Sequence, residues 1–366
     1  MLPYLVLALI AVVAILIYGY SPSFFKDSTN LEKSFFIISW LVFLFIVGLR
    51  YHHGDYITYE MGYNTNTDVG GDFGYFALQK WVHTTGLPFW VFAFLITLLS
   101  AYCFIKIFSI SPWPAFGLIF LLGKIFTLYA MSGIRQYMAM AVCWWALYQL
   151  LVYRRDAVFL CSVLLAYSLH GSALIFLPVW FLRRIKFSWI WLLLILVISI
   201  SLAYTYKTLF GAVANSSDLI NDRLGSYVEE SQEGGEGMNM LNYLENSLFL
   251  ILALMVRKRA RKVVPYYDTF LYMFAIYLGF LIVGNEIGII KRLRDYYAIA
   301  YAILCPSFIF LFRDIRLKKA TYYLLVCYFV FLFFRSMAVF DAPFPPGTEG
   351  RMVPYHSIFS YSDILF

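Results

Sequence analysis

Charged residues are scarce in this chain of 366 residues: Asp, Glu, Lys and Arg make up 13% of it, while 62% is hydrophobic. About a quarter of a typical soluble domain is charged, so the composition excludes an ordinary soluble enzyme. The apolar residues form continuous runs, whereas a β-barrel would show short alternating segments. We therefore predict an all-α polytopic membrane protein with a single integral domain over 1–366, because helices satisfy their own backbone polar groups in lipid.

Motifs for nucleotide and metal chemistry are missing as well. The sequence contains no phosphate-binding Gly-x4-Gly-Lys-Ser/Thr loop, no Gly-x-Gly-x-x-Gly and no Gly-x-Ser-x-Gly elbow. The five cysteines lie inside apolar runs, and neither they nor the histidines have metal-ligand spacing. We predict no cofactor and no metal site. The net charge of +7 comes from basic residues between apolar runs, so we also predict no nucleic-acid partner.

Long apolar runs are what the chain does have, and a membrane crossing needs about 20 such residues. The ten candidate spans are 2–20, 34–49, 89–108, 113–131, 134–152, 187–206, 241–256, 266–286, 295–312 and 320–335. One further apolar segment, 157–182, has basic residues at both ends but is too short to cross twice. We predict that it is a broken or re-entrant helix with its break at 168–172.

The basic residues predict an orientation. Of the 28 basic residues, 17 lie in the loops or at the span ends on the side of the 257–262 run, ten lie on the opposite side, and Lys124 lies within a span. The positive-inside rule then places both termini outside. The outside segments in which we expect the functional residues are the first loop (50–88), an acidic mobile loop (207–240), the segment 287–294 and the tail (336–366). Within the first loop, 72–83 has the spacing of an amphipathic helix lying in the membrane interface.

Arginines dominate the basic residues of the outside face. Arg50 ends the second span, Arg135 begins the fifth, and Arg292 and Arg294 precede an aspartate and two tyrosines. Guanidinium groups bind phosphate oxygens bidentately, so these four arginines predict a diphosphate-binding site. The alternative is that each arginine anchors a lipid headgroup or makes a structural ion pair.

Two residues are candidates for a general base. His170 lies in the apolar break segment, and histidine side chains titrate near neutral pH. Asp55 lies in a wet loop and could act as the base, position the acceptor or pair with Arg50. We favour His170 as the base and Asp55 as a positioning residue; the alternative for His170 is a structural hydrogen bond at the helix break. The other carboxylates of the first loop are interpreted as solvated charges, as exposed carboxylates usually are: Glu60, Asp68 and Asp72.

Five short motifs, in this order, resemble those of the EpsG/Wzy-type polysaccharide polymerases. They are Arg50-Tyr51-x-x-Gly54-Asp55-Tyr56-x-x-Tyr59, Gly133-Ile134-Arg135-Gln136-x-x-Ala139, His170-x-Ser172-Ala173-Leu174, Arg292-x-Arg294-x-Tyr296 and Val353-Pro354-Tyr355. The similarity extends over 34–355. It implies a fold like that of the GT-C membrane glycosyltransferases. It also implies four substrate-binding residues beside the arginines: Tyr56, Gln136, Tyr296 and Tyr355.

The same resemblance implies an activity. The family implies polymerisation of undecaprenyl-diphosphate-linked oligosaccharides, as in O-antigen or exopolysaccharide synthesis, without a metal. The site would face the periplasm from a bacterial inner membrane, and a chain-length regulator in that membrane is an expected partner. Two alternatives stay open: a membrane O-acyltransferase that modifies glycans, and a flippase for lipid-linked oligosaccharides. The chain has no internal repeat to favour a flippase.

Overall fold

A computed structural model describes residues 1–68, 71–214, 240–284, 288–343 and 352–360. These residues form helices and no strand, which confirms the predicted all-α class for the described part. The helices are α1 (Leu2–Tyr18), α2 (Asn30–Gly48), α3 (Tyr56–Asn64), α4 (Phe73–Thr84), α5 (Phe89–Phe108), α6 (Phe116–Lys124), α7 (Ile134–Val152), α8 (Asp156–Leu169), α9 (Val179–Leu182), α10 (Trp189–Ala214), α11 (Met240–Ala260), α12 (Tyr267–Gly284), α13 (Gly288–Asp295), α14 (Ile299–Leu304) and α15 (Ile315–Asp341).

Several of these helices have the length and composition of membrane spans. Among the described residues, α2, α5, α11, α12 and α15 are long and apolar enough to cross a bilayer. Shorter apolar helices cover 2–18, 156–169, 171–182 and 189–205. The architecture is consistent with a polytopic membrane protein, and the number of ten crossings stays a prediction.

Two predicted spans are not continuous α-helices. In 113–131, α6 ends at Lys124 and a π-helical turn follows from Phe126 to Ala130. In 295–312, α14 is followed by a 3-10 helix from Cys305 to Leu311, whose second residue is a proline. Both segments are almost entirely buried. Irregular backbone is tolerated at membrane depth when protein covers it, and hydropathy does not distinguish such a segment from a regular span.

The chain divides into two compact units. The first contains Met1–Leu177 and Phe312–Phe366, and the second contains Pro178–Leu311. In the first unit α7 packs against α5 and α8, α1 against α2, and α15 against α6. In the second unit α12 packs against α10, α11 and α13. The predicted single domain therefore contains two densely packed bodies.

The segment with basic ends is broken where the sequence predicts. Helix α8 ends at Leu169, His170 is extended with φ −161°, and a 3-10 helix runs from Gly171 to Phe176 before α9. Helix α8 and the 3-10 helix are separate elements because His170 leaves the helical conformation. The break lies within 168–172, as predicted; whether the segment is re-entrant stays a prediction.

The segments predicted to lie outside contain more helix than we expect. The helix predicted at 72–83 is present as α4, with Tyr75, Gln79 and Val82 buried on one face and Phe73 and Trp81 each 67% exposed. The first loop contains a second helix, α3, that periodicity does not reveal. Helix α15 continues to Asp341 and so includes the start of the predicted tail. Most of the acidic loop 207–240 lies outside the described residues.

Candidate functional site

Asp72 joins two of the predicted site residues. Its Oδ2 atom lies 2.6 Å from Nη1 of Arg135 and 3.1 Å from Nδ1 of His170, and its Oδ1 atom accepts the backbone N–H of Gly171 at 3.2 Å. The three side chains are only 13% to 18% exposed. The interpretation of Asp72 as a solvated loop charge is therefore wrong: the carboxylate is held between a guanidinium and an imidazole.

A close helix contact places Asp72 there. Asp72 directly precedes α4, and the first turn of α4 packs against the end of α8, where His170 follows. Gly74 permits this approach, since a Cβ atom at that position would overlap Oγ of Ser168. Ser168 donates its own hydroxyl to the Leu165 carbonyl at 2.7 Å and so stays in place. The contact brings the two helix ends to hydrogen-bonding distance.

The local charges determine the state of the carboxylate. Burial alone would raise the pKa of Asp72, but the hydrogen bond and charge of His170, together with Arg135 and the Gly171 N–H, lower the pKa below its ordinary value. An ionised carboxylate only accepts hydrogen bonds, so His170 donates from Nδ1. In a neutral imidazole Nε2 is then the proton acceptor. No partner for Nε2 is found within the described part of the chain.

Arg135 is fixed on a second side by an aromatic ring. Its Nε atom donates to the Tyr59 hydroxyl at 3.4 Å, and its guanidinium carbon lies 5.6 Å from the centre of that ring. Arg135 is in the first turn of α7, and the neighbouring Gln136 is buried. A guanidinium has five donors, and these contacts use two of its three nitrogens. It is thus oriented, with donor capacity left for a ligand.

Arg50 is a buried structural centre. It is 2% exposed, and it donates from Nε to the Met131 carbonyl at 3.1 Å and from Nη1 to the Val47 carbonyl. Carbonyl oxygens of two segments thus solvate its charge. Within the described residues it makes no ion pair with a carboxylate, so the Arg50–Asp55 pair, one of the alternatives for Asp55, is absent there.

Buried tyrosines surround the Arg50 charge. It acts on the hydroxyls of Tyr56, Tyr75, Tyr137 and Tyr355. Burial raises the pKa of Tyr56 and of Tyr75, which keeps both phenols neutral. The charges of Arg135 and Arg50 both act to lower the pKa of Tyr75, against the larger effect of burial. In the described structure the hydroxyls of Tyr56, Tyr75 and Tyr137 have no hydrogen-bond partner.

Asp55 is placed differently from His170. Its side chain is exposed, and its Oδ2 atom accepts the hydroxyl of Ser132 at 2.9 Å. Gly54 makes this contact possible, because it adopts φ +55° and a Cβ atom there would lie 2.5 Å from Cβ of Ser132. The carboxylate therefore lies beside the turn that precedes Arg135. It is accessible to a substrate.

The C-terminal segment 352–358 pairs with the start of the first loop. Tyr51 N–H donates to the His356 carbonyl and Ile358 N–H to the Leu49 carbonyl, both at 3.0 Å, on either side of an antiparallel bridge at Arg50. Tyr355 donates its hydroxyl to the Ile46 carbonyl at 2.9 Å. This predicted substrate-binding residue thus holds the end of α2, and its motif is part of the loop architecture.

The remaining predicted residues lie in the second unit. Arg294 pairs with Asp295 at 2.9 Å, and its guanidinium carbon lies 5.0 Å from the centre of the Tyr277 ring. Arg292 is partly exposed and Tyr296 is fully buried. The convergence of all four arginines stays a prediction.

Sequence reasoning assigned no site role to Asp72, Tyr59 or Tyr75. One signal was available for Asp72: Gly74 follows two residues later, inside a helical pattern that glycine weakens, and such a glycine indicates close approach of another segment.

As for metals, none of the described residues form a cluster of three or more His, Cys, Asp or Glu side chains.

Comparison with known proteins gives one match. The family model described as the EpsG family matches residues 33–357. The matched range contains all five motifs and every residue of the site around Asp72. No curated protein and no solved structure matches the chain.

Proposed function

Because the chain belongs to the EpsG family, whose members are Wzy-type polymerases, we propose that it extends a polysaccharide on a lipid carrier. It transfers a glycan from an undecaprenyl-diphosphate donor to the terminal sugar of a lipid-linked repeat unit. The reaction takes place at the outer face of a bacterial inner membrane. The observation that carries this proposal is that one carboxylate, Asp72, holds His170 and Arg135 together.

His170 is the general base in this reaction. The acceptor hydroxyl attacks the anomeric carbon of the donor sugar, a new C–O bond forms, and the bond to the diphosphate oxygen breaks. Nε2 of His170 takes the hydroxyl proton, because Nδ1 is engaged as a donor to Asp72. Asp72 keeps the imidazole in that tautomer and balances the imidazolium that forms. Asp55, exposed beside Ser132, orients the acceptor sugar.

Arginines stabilise the leaving group without a metal. The lipid diphosphate departs with negative charge, and Arg135 presents the nitrogen that Asp72 and Tyr59 leave unused. Arg50 contributes a fixed positive charge that is buried among tyrosines, and it does not contact the diphosphate directly. Arg292 and Arg294 bind a lipid diphosphate in the second unit. The sugars are bound through the side chains that the motifs share: Tyr56, Gln136, Tyr296 and Tyr355.

The experiment is reconstitution of the full chain in proteoliposomes with a synthetic undecaprenyl-diphosphate repeat unit. The wild type should produce a ladder of longer glycans. His170→Gln keeps a hydrogen-bonding side chain but cannot take the proton, so elongation should slow by about 10²-fold or more. The matched control is His83→Gln in α4, whose ring contacts Tyr63 and lies outside the Asp72 cluster; it should elongate normally.

Two other results would contradict the proposal. Transfer of an acyl group to the glycan without elongation indicates the O-acyltransferase. Movement of labelled lipid across the bilayer with no change in glycan length indicates the flippase. Equal rates in His170→Gln and the wild type would leave the polymerase standing but remove His170 as its base.

A further inference from the structure

Two basic segments meet at one end of the second unit. One is 183–188, between α9 and α10, and the other is 257–262, where α11 ends. Within 183–188 and 257–268 there are eight basic residues and a single acid, Asp268. Six of the eight basic side chains are exposed: Arg184, Lys186, Lys258, Arg259, Arg261 and Lys262. Because like charges repel, this end of the unit favours an anionic partner.

A stack of side chains fastens the two segments together. The guanidinium carbon of Arg257 lies 3.5 Å from the centre of the Phe187 ring, and that ring stacks on Tyr272 with ring centres 6.2 Å apart. Asp268 accepts two hydrogen bonds from Arg257, of 2.6 and 2.8 Å. The Tyr272 hydroxyl accepts the N–H of Ser188 at 2.7 Å. These contacts, which we call the Phe187 clamp, hold the first segment against the ends of α11 and α12.

The Phe187 clamp is more than the orientation of a membrane protein requires. The positive-inside rule depends on how many basic residues a loop carries, so it gives no reason to hold two basic segments in one arrangement. The acid of this region is already engaged by Arg257, and the two segments contain no other carboxylate. The fold thus maintains a repulsion between exposed cations that a bound anion would relieve.

The surroundings of the two segments favour a lipid over a soluble anion. Exposed aromatic residues lie on both sides of 183–188, namely Phe181 (58% exposed) and Trp189 (65%). The guanidinium carbon of Arg184 lies 4.0 Å from the centre of the Trp180 ring. Helices α11 and α12, whose ends meet here, are both long and apolar enough to cross a bilayer. Aromatic and basic side chains together at the end of a span are typical of the level where headgroups meet acyl chains.

We propose that these two segments form a binding site for an anionic phospholipid of the bilayer. Its phosphate contacts the basic side chains of both segments, and its acyl chains lie along Phe181 and Trp189. Guanidinium and ammonium groups bind phosphate oxygens through charge-assisted hydrogen bonds, and the Phe187 clamp lowers the entropy cost of bringing both segments to one headgroup. A zwitterionic phospholipid fits less well, because its ammonium group would face the same cations. The site goes beyond the proposed function and uses none of the residues assigned to it.

Binding can be measured without turnover. Purified full-length protein in a nonionic detergent is titrated with phosphatidylglycerol or phosphatidylcholine, and bound lipid is counted by native mass spectrometry. The wild type should bind phosphatidylglycerol more tightly. Phe187→Leu keeps every charge but removes the ring at the centre of the clamp, so the Kd for phosphatidylglycerol should increase about tenfold. The matched control is Phe280→Leu, a half-buried phenylalanine of α12 outside the clamp, whose Kd should equal that of the wild type.

Three more variants separate arrangement from charge. Lys258→Gln should weaken phosphatidylglycerol binding about fivefold, whereas Lys80→Gln, at an exposed lysine of the first unit, should not. Tyr272→Phe removes only the hydroxyl that holds Ser188, and it should also raise the Kd; it tests the clamp even where Phe187→Leu lowers the Tm.

The proposal can fail in three ways. Phosphatidylglycerol binding equal to that of the wild type in both clamp variants would overturn it and leave the basic residues as orientation charges alone. Equal binding of the two phospholipids by the wild type would overturn it as well. Tighter binding of polyglutamate than of phosphatidylglycerol would overturn it in favour of an acidic protein partner.

Discussion

Asp72→Asn should slow elongation by about 10²-fold, because the amide has almost the shape of the carboxylate but changes which nitrogen of His170 carries the proton. An amide can offer its N–H to Nδ1 of His170 as readily as its oxygen accepts from it. The first arrangement puts the imidazole proton on Nε2, so that the base becomes a donor. The substitution also removes the charge that faces Arg135 at 2.6 Å. A 10²-fold loss corresponds to about 2.7 kcal/mol of transition-state stabilisation.

The assay is the initial rate of elongation by reconstituted protein, measured over a range of substrate concentration and pH. The loss should lie in kcat, and the acidic limb of the pH profile should move, which a merely structural role would not cause. Asp68→Asn is the matched control, since Asp68 is exposed and, among the residues that the structure describes, accepts the nearby Gly71 N–H at 3.0 Å and lies outside the Asp72 cluster. An Asp72→Asn protein within twofold of the wild type, or one no slower than Asp68→Asn, would refute the assigned role.

Three further outcomes follow from the same geometry. The pKa of Asp72 is lowered from 3.8 in the folded protein, so the ionised carboxylate stabilises the fold above that pH, and this stabilisation is lost on acidification. At pH values below 3.8 the Tm in detergent should therefore decrease more for the wild type than for Asp72→Asn. Gly74→Ala should cost about 1–3 kcal/mol of stability by overpacking, seen as a lower Tm, and Ser168→Gly should restore part of it. An impermeant thiol reagent should label Lys80→Cys in intact cells and Lys258→Cys only after permeabilisation, in a cysteine-free background; the opposite pattern inverts the topology.

The sequence predicts the parts of this fold that depend on local composition. Long apolar runs predict the helices, and the short segment with basic ends predicts the break at 168–172. The irregular turns after α6 and α14 are not predictable in this way. A buried π-turn and a lipid-facing helix have the same hydropathy, and only the neighbours that cover the backbone distinguish them.

The site shows the same limit. His170 and Arg135 can be selected from sequence because ionisable groups are costly near a membrane. Asp72 lies in a polar loop, where a carboxylate carries no such signal. Its partners are 98 and 63 residues away along the chain, and the contact depends on Gly74 meeting Ser168. Pairings of this kind become visible only when the helices are packed.

Because the first loop pairs with segment 352–358, this part of the fold can form only late in synthesis. His53 and His356 are 303 residues apart along the chain, yet the N–H of His356 donates to Nε2 of His53 at 3.0 Å. The ribosome must complete α15 before the strand-like partner of Arg50 exists. Until then the N–H of Tyr51 and the carbonyl of Leu49 lack the hydrogen-bond partners that 352–358 supplies. Pairing of the first loop with this segment is therefore a late step of biogenesis, and a chain that ends before residue 352 would lack these bonds.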